Sequence, residues 1–289
     1  MTFLHAQSDT DAQRDRDGGL QEGDWPLIGP GDPPPYAVLN EQGSAPFLLV
    51  CDHASRLFPR AMRQLGLADW VLDRHVACDI GAAALTRELS RRFDAPAVLA
   101  GYSRLIVDPN RQLHDASAFI KVSDGIAIPG NLDLSEMERE QRIQSFFNPY
   151  HDAISRQLQS FIDRGQVPAL ISVHTCTPVF NRMVRRWHIG VMWDQDPRIA
   201  RPLIERLRAN DDLCVGDNEP YSGRHPNDFT IDHHAEQHGY PCVGFEVRQD
   251  LVDNDAGAGH WAQLLGDALE DVLSDPSIFS LLGDAGSGS

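Results

Sequence analysis

Two short apolar runs in this chain each deliver a histidine. Phe47-Leu48-Leu49-Val50-Cys51 leads into Asp52 and His53, and Leu170-Ile171-Ser172-Val173 leads into His174, Thr175 and Cys176. Continuous hydrophobic runs of this length read as buried strands. In open α/β sheets, side chains leave the core at the carboxyl ends of strands, where ligands collect. Parallel neighbours would therefore bring both imidazoles to one edge. Two imidazoles suit zinc, whose catalytic sites add a third protein ligand and keep a position for water. An acid is the expected third ligand. Asp52 lies beside His53 but faces the opposite side if the strand continues. Asp79, in the helical stretch His75-Val76-Ala77-Cys78-Asp79-Ile80-Gly81, is the alternative, although His75 and Asp79 stand four apart and could bond each other.

A third run, Cys242 to Val247, carries the acid-base candidate. Residues two apart on a strand share a face, so Glu246 and Arg248 project together while Phe245 and Val247 pack the other way. A carboxylate facing a metal site can act as general base, and a guanidinium can bind a substrate carboxylate through two hydrogen bonds. The plainer reading is an ion pair on a strand surface. Arg104 and Arg111 flank Leu105-Ile106-Val107, a short strand candidate, and point to a small anionic substrate unless one of them pairs with Asp108. His234 and His238 are four apart, as a metal pair on one helix face would be, but HExxH is absent. A solvated helix face with His234 reaching the site is preferred. Glycine-rich nucleotide loops are missing.

Composition narrows the partners. Forty-two acidic against 25 basic residues give a net charge of -17, which repels phosphate backbones and anionic lipid. Nucleic-acid binding is not expected, and no stretch reaches the roughly 18 to 20 apolar residues of a membrane span. The N-terminus, with Asp9, Asp11, Asp15 and Asp17, lacks the basic and apolar regions of a signal peptide, so a cytoplasmic protein is expected. The five cysteines, Cys51, Cys78, Cys176, Cys214 and Cys242, include no CxxC pair, which speaks against a thiolate zinc site. They read as small buried hydrophobes.

The elements that must position these residues alternate as in a layered α/β domain. Strands are expected at Phe47–Cys51, Ala97–Ala100, Leu105–Val107, Ala169–Val173, His188–Met192 and Cys242–Val247. Helices are expected at Trp70–Phe93, Ser135–Arg164, Pro197–Ala209, Ile231–His238 and Gly259–Leu273. Ser135 and Glu138 form a capping box that starts the long middle helix. Residues 1–33 read as a disordered or extended arm, 34–283 as a single α/β domain, and 284–289 as a flexible tail.

Together these segments resemble the N-formylglutamate amidohydrolase family. The resemblance runs from about His53 to Leu251 through Asp52-His53-Ala54-Ser55, Asp79-Ile80-Gly81-Ala82, Tyr102-Ser103-Arg104, Asp108-Pro109-Asn110-Arg111, Ser172-Val173-His174-Thr175, Asn218-Glu219-Pro220-Tyr221-Ser222-Gly223 and Glu246-Val247-Arg248-Gln249-Asp250. It implies a three-layer α/β/α fold with a central mixed sheet, like zinc carboxypeptidases and aspartoacylase-like deacylases. It further implies zinc, or another divalent ion, on His53, His174 and an acid, with Glu246 as base and Asn110 and Arg111 on the substrate carboxylate. Arg104 and Arg248 share carboxylate recognition and oxyanion stabilisation, and Tyr102, Tyr221 and His234 complete the expected substrate-binding set. One departure stands out. Deacylases place their acid ligand three residues after the first histidine, where this chain has Arg56, so Asp79 must supply it or the metal site is altered. The expected activity is hydrolysis of a small anionic N-acyl amino acid, N-formyl-L-glutamate by resemblance, as in histidine degradation. Another N-acyl amino acid deacylase, a carboxypeptidase-like enzyme and a non-catalytic binder of an acidic metabolite are the rivals.

Overall fold

Short apolar runs, buried on both faces, build a seven-stranded mixed sheet with helices on either side. The computed structural model describes residues 25–180, 182–224 and 228–283. Residues 1–24 of the expected arm and the expected tail at 284–289 lie outside the described residues. In chain order the strands are β1 (Tyr36–Leu39), β2 (Phe47–Cys51), β3 (Ala97–Ala100), the hairpin of β4 (Val122–Ser123) and β5 (Ile126–Ala127), β6 (Ala169–Cys176), the hairpin of β7 (Val179–Phe180) and β8 (Met183–Val184), β9 (Ile189–Met192), β10 (Val215–Asp217) and β11 (Cys242–Arg248). The helices are α1 (Asp69–Leu72), α2 (Ala82–Phe93), α3 (Glu136–Arg142), α4 (Asn148–Asp163), α5 (Pro197–Arg208), α6 (Thr230–His234) and α7 (Asp255–Leu273).

The sheet order is β1-β3-β2-β6-β11-β9-β10. β3, β2, β6 and β11 run parallel, while β1 and β9 pair antiparallel with β3 and β11. Period-two alternation sorts the side chains. Phe47, Leu49, Ile171, Val173, Phe245 and Val247 join α2, α5 and α7 on one face. Leu48, Val50 and Leu170 meet Tyr150, Ile154 and Phe161 of α4 and Ile231 of α6 on the other. The expected three-layer α/β/α architecture is therefore present. Among the described residues, no helix is long and apolar enough to cross a membrane.

Three expectations need correction. The helix over Trp70–Phe93 is broken: α1 is a single turn, residues 73–81 are turns, and α2 begins only after Gly81. Gly81 has φ +85, and a Cβ there would meet Val252 O at 2.2 Å, so the chain bends where no other residue fits. Leu105–Val107 is not a strand but a buried turn. Its carbonyls are satisfied by side chains, Leu105 O by Asn131 Nδ2 at 2.9 Å and Ile106 O by Arg142 Nη1 at 2.9 Å, so no ladder is needed. The strand through Ala169–Val173 continues to Cys176, which puts His174 within β6 rather than beyond it.

The middle helix starts where expected. Ser135 and Glu138 form the capping box. α3 then passes through a π-turn at Ile143–Phe147 into α4. Pro149 explains the change of pitch, because its ring cannot sit against the carbonyl four residues back and it has no N–H to donate.

Candidate active site

β2, β6 and β11 lie side by side and run the same way, so their carboxyl ends share an edge. In register, Glu246 of β11 lies opposite His174 of β6. β2 stops at Cys51, and the following turn lets both Asp52 and His53 point inward, where they are buried. The turn before α2 is tied to this end of β2 by Asp79 N, which donates to His53 O at 3.0 Å. Asp79 thereby meets both histidines from a turn, not from a helix face.

His53 Nδ1 lies 3.3 Å and His174 Nδ1 3.1 Å from one oxygen, Asp79 Oδ2. The far nitrogens face other carboxylates: His53 Nε2 is 2.8 Å from Asp108 Oδ1, and His174 Nε2 is 3.1 Å from Asp52 Oδ2. With each Nε2–H donating outward, loss of the inner proton would leave each Nδ1 lone pair directed at Asp79. Three acceptors then converge in a buried place, one ligand atom from each lying within 4.8 Å of the others. Ligands on a tetrahedral zinc stand about 3.3 Å apart. The donor set therefore fits a divalent cation, which relieves the mutual repulsion of the three acceptors. Protons compete for the same place. Burial opposes charge on His174, but Asp52 and Asp79 outweigh it and hold its pKa well above the ordinary value, so metal uptake releases protons. Among the described residues this is the single cluster of its kind.

The outer carboxylates are themselves anchored. Asp52 Oδ1 accepts from Tyr150 OH and from Thr230 Oγ1, each at 2.8 Å. Burial pushes its carboxyl up, yet the bond and charge of His174, with His53 and Tyr150, bring it down to about 2. Asp108 is held well below its usual range despite burial, by Arg104 and His53. Thr230→Val keeps the shape but leaves a buried carboxylate oxygen one donor short. We expect it to lower stability by about 1–3 kcal/mol in urea unfolding, with Thr230→Ser close to wild type.

Beside the cluster, Glu246 is buried, and its Oε2 has no hydrogen-bond partner among the described residues. Burial pushes its carboxyl up to about 7, against the pull of His174 and with help from Asp79. A carboxyl near neutrality is matched to taking and returning a proton. It lines a cavity of about 430 Å³ together with Arg104, Asn110, Arg111, Tyr221 and Gln249. Arg104 is fixed, its Nη2 2.9 Å from Asp108 Oδ2 and its Nη1 3.3 Å from Asp79 Oδ1. Cys176 also reaches the wall, but burial and Glu246 push its thiol up to about 12. A thiol pushed up in this way disfavours the thiolate that nucleophilic chemistry needs.

The N-formylglutamate amidohydrolase family model matches residues 45–252. The chain belongs to this family. A gene product of Agrobacterium tumefaciens is 32% identical, with a TM-score of 0.84 over 87% of this chain and 99% of the other. The N-formylglutamate amidohydrolase of Ralstonia eutropha is 16% identical, with a TM-score of 0.59 over 83% of this chain and 97% of its own, and shares the fold. No curated protein sequence matches.

In this family member, His53, Asp79, His174, Glu246, Arg104, Asn110, Arg111 and Tyr221 all come to one cavity. Three placements differ from expectation. Arg248 does not line it: Nε donates to Asp250 Oδ1 at 2.7 Å and Nη1 to the carbonyl of Arg185 at 3.3 Å, because the strand ends there and the side chain turns to the nearest acid. Tyr102 donates to Pro33 O and packs edge-on against Phe146, away from the cavity. His234 is buried against His151, Nε2 to Nδ1 at 2.9 Å, and so is neither solvated nor in the site. Asn110 does reach the cavity, but its Oδ1 is taken by Phe229 N and Thr230 N at 3.0 and 2.9 Å. His75 and Asp79 do not bond; His75 Nε2 lies 3.7 Å from Asp124. Arg56, where deacylases carry an acid, is exposed and pairs with Asp73.

Asp52, expected on the side opposite His53, instead points inward to His174, while Tyr150 reads only as part of an apolar helix stripe and Thr230 has no signal in the sequence. No local pattern marks them, since their contacts are made across the fold. Asp108 was visible only as a possible mate for an arginine.

Proposed function

We propose that this cavity is a metal-dependent amidohydrolase site that removes the N-formyl group, or another small N-acyl group, from an amino acid with a free carboxylate. By family the substrate is N-formyl-L-glutamate, yielding formate and glutamate, the chemistry of histidine degradation. The observation that carries the reading is Glu246, a buried carboxylate with an unpartnered oxygen beside a converging His-Asp-His cluster. A binder of acidic metabolites has no use for such a group.

His53, Asp79 and His174 would hold the ion. Two nitrogens and a carboxylate suit zinc, and other divalent ions can occupy such a set. When bound, the ion supplies Lewis acidity, polarising an amide carbonyl and lowering the pKa of water toward about 7. Glu246 takes a proton from the attacking water and passes it to the departing amine nitrogen. Arg104, held rigid by Asp79 and Asp108, offers positive charge to the oxyanion as it develops, without reorganising. Arg111, at the cavity wall, pairs with the substrate carboxylate.

The test is formate release from N-formyl-L-glutamate by the purified chain, before and after chelation. We expect turnover with zinc, a fall of at least about 100-fold after chelator, and recovery on adding the ion back. Failure of the zinc-loaded protein to cleave N-formyl or N-acetyl amino acids would sink the reading.

A further inference from the structure

Arg185 is a buried cation without a counter-charge. It follows β8, is 7% exposed, and has no carboxylate within ion-pair distance among the described residues. Its Nη2 donates to Tyr221 OH at 2.6 Å and its Nη1 to Thr177 O at 3.3 Å. The guanidinium carbon stands 4.5 Å from the Tyr221 ring centre and 5.0 Å from that of Phe180. The backbone is held as well, by Arg185 N to Pro178 O at 2.8 Å and by Arg248 on its carbonyl.

Burying a guanidinium is costly unless it is paired. Arg142, also buried without an ion pair among the described residues, shows the structural solution: it donates to Ile106 O, Asn131 Oδ1 and Gly130 O and lies away from the cavity. Arg185 differs in place and in satisfaction. Both of its side-chain hydrogen-bond partners, Thr177 and Tyr221, line the cavity, and these two bonds leave further N–H donors of the guanidinium for another acceptor. Cation–π contacts leave the rim of the guanidinium available to an anion. Tyr221 is 40% exposed, so the Arg185–Tyr221 pair borders solvent at the cavity.

We propose that Arg185, with the Tyr221 hydroxyl, is the seat for a second carboxylate of the substrate. The cavity then carries two separate anion contacts, Arg111 on the Asp108–Arg111 turn and Arg185 on the β7–β8 hairpin, and selects N-acyl derivatives of dicarboxylic amino acids over neutral ones. This rests on the amidohydrolase reading of the same cavity.

The experiment compares N-formyl-L-glutamate with N-formyl-L-glutamine, its isostere with a neutral side chain, in wild type and Arg185→Met. For the diacid, kcat/KM should fall about 100-fold, chiefly through KM, while the amide substrate changes less than about threefold. An equal fall on both substrates, or on neither, overturns the assignment. Glutarate and butyrate binding, measured by calorimetry on the same proteins, separates this from the parent reading. Loss of glutarate affinity with butyrate unchanged supports the seat even if no formate is released, whereas unchanged glutarate affinity refutes it even if hydrolysis proceeds. Should Arg185→Met not fold, Arg185→Lys carries the test: it keeps the charge but not the planar fork, and glutarate should weaken about tenfold. No weakening overturns the proposal.

Discussion

Glu246→Gln is expected to lower kcat on N-formyl-L-glutamate by about 10³-fold and to raise the stability of the metal-stripped protein at the same time. The rate loss follows from removing the group that moves the proton, a contribution of roughly 10² to 10⁴. The stability gain follows from linkage. Below about pH 4.5 the carboxyl is protonated in both folded and unfolded chains, and folding costs nothing extra. Between there and about 7 the unfolded chain releases its proton while the folded chain keeps it, so stability falls as pH rises. Above about 7 the penalty is complete, on the order of 3 kcal/mol. Glutamine fills the same volume without the charge. Thermal unfolding at pH 8 in chelator should therefore rise by several degrees, with the two proteins converging near pH 4.5. A variant as active as wild type would end the assignment of Glu246, and one equally inactive but less stable at pH 8 would show that its burial is not the strain inferred.

Asp79→Asn is expected to be among the most damaging single changes. Its Oδ2 faces His53, His174 and Thr175 N, and its Oδ1 accepts from Arg104. Burial pushes its carboxyl up, but these positive neighbours hold it far below the usual range. Removing one partner from a buried ionic cluster costs about 3–5 kcal/mol because the others remain uncompensated. The stabilisation from Asp79 is present above its unfolded value of 3.8 and is lost as pH falls toward the folded one. Urea curves of wild type and variant should accordingly differ most above about pH 5 and approach each other in acid. Zinc affinity, read by chelator competition, should drop by more than the roughly 100-fold that losing an outer partner of a ligand costs. Retention of tight zinc binding would exclude Asp79 as a ligand.

Asp79 also shows how far the chain could be read without coordinates. Its residue type and its neighbourhood made it a candidate, but periodicity carried a helix through it from Trp70 to Phe93. The conformation at Gly81, required by contact with Val252, interrupts that helix and turns the acid toward His53. Leu105–Val107 misled in the same way, since an apolar triplet looks identical in a strand and in a turn whose carbonyls are bonded by Asn131 and Arg142.

The sequence by itself determined the elements that bury a continuous apolar run and whatever such a run delivers. β2 and β3 fall where the residues indicate, β6 and β11 contain the expected runs, and His53, His174 and Glu246 arrive at one edge because parallel neighbours must share it. Burial of apolar surface is a local property, readable residue by residue. Only the tertiary structure decided which polar groups answer one another. Asp52 meets Tyr150 and Thr230 across 98 and 178 residues, Arg248 turns away to Asp250, and Arg185 is buried against Tyr221 with no carboxylate beside it among the described residues. Hydrogen bonds and ion pairs depend on distance and direction in space, which spacing along the chain does not specify.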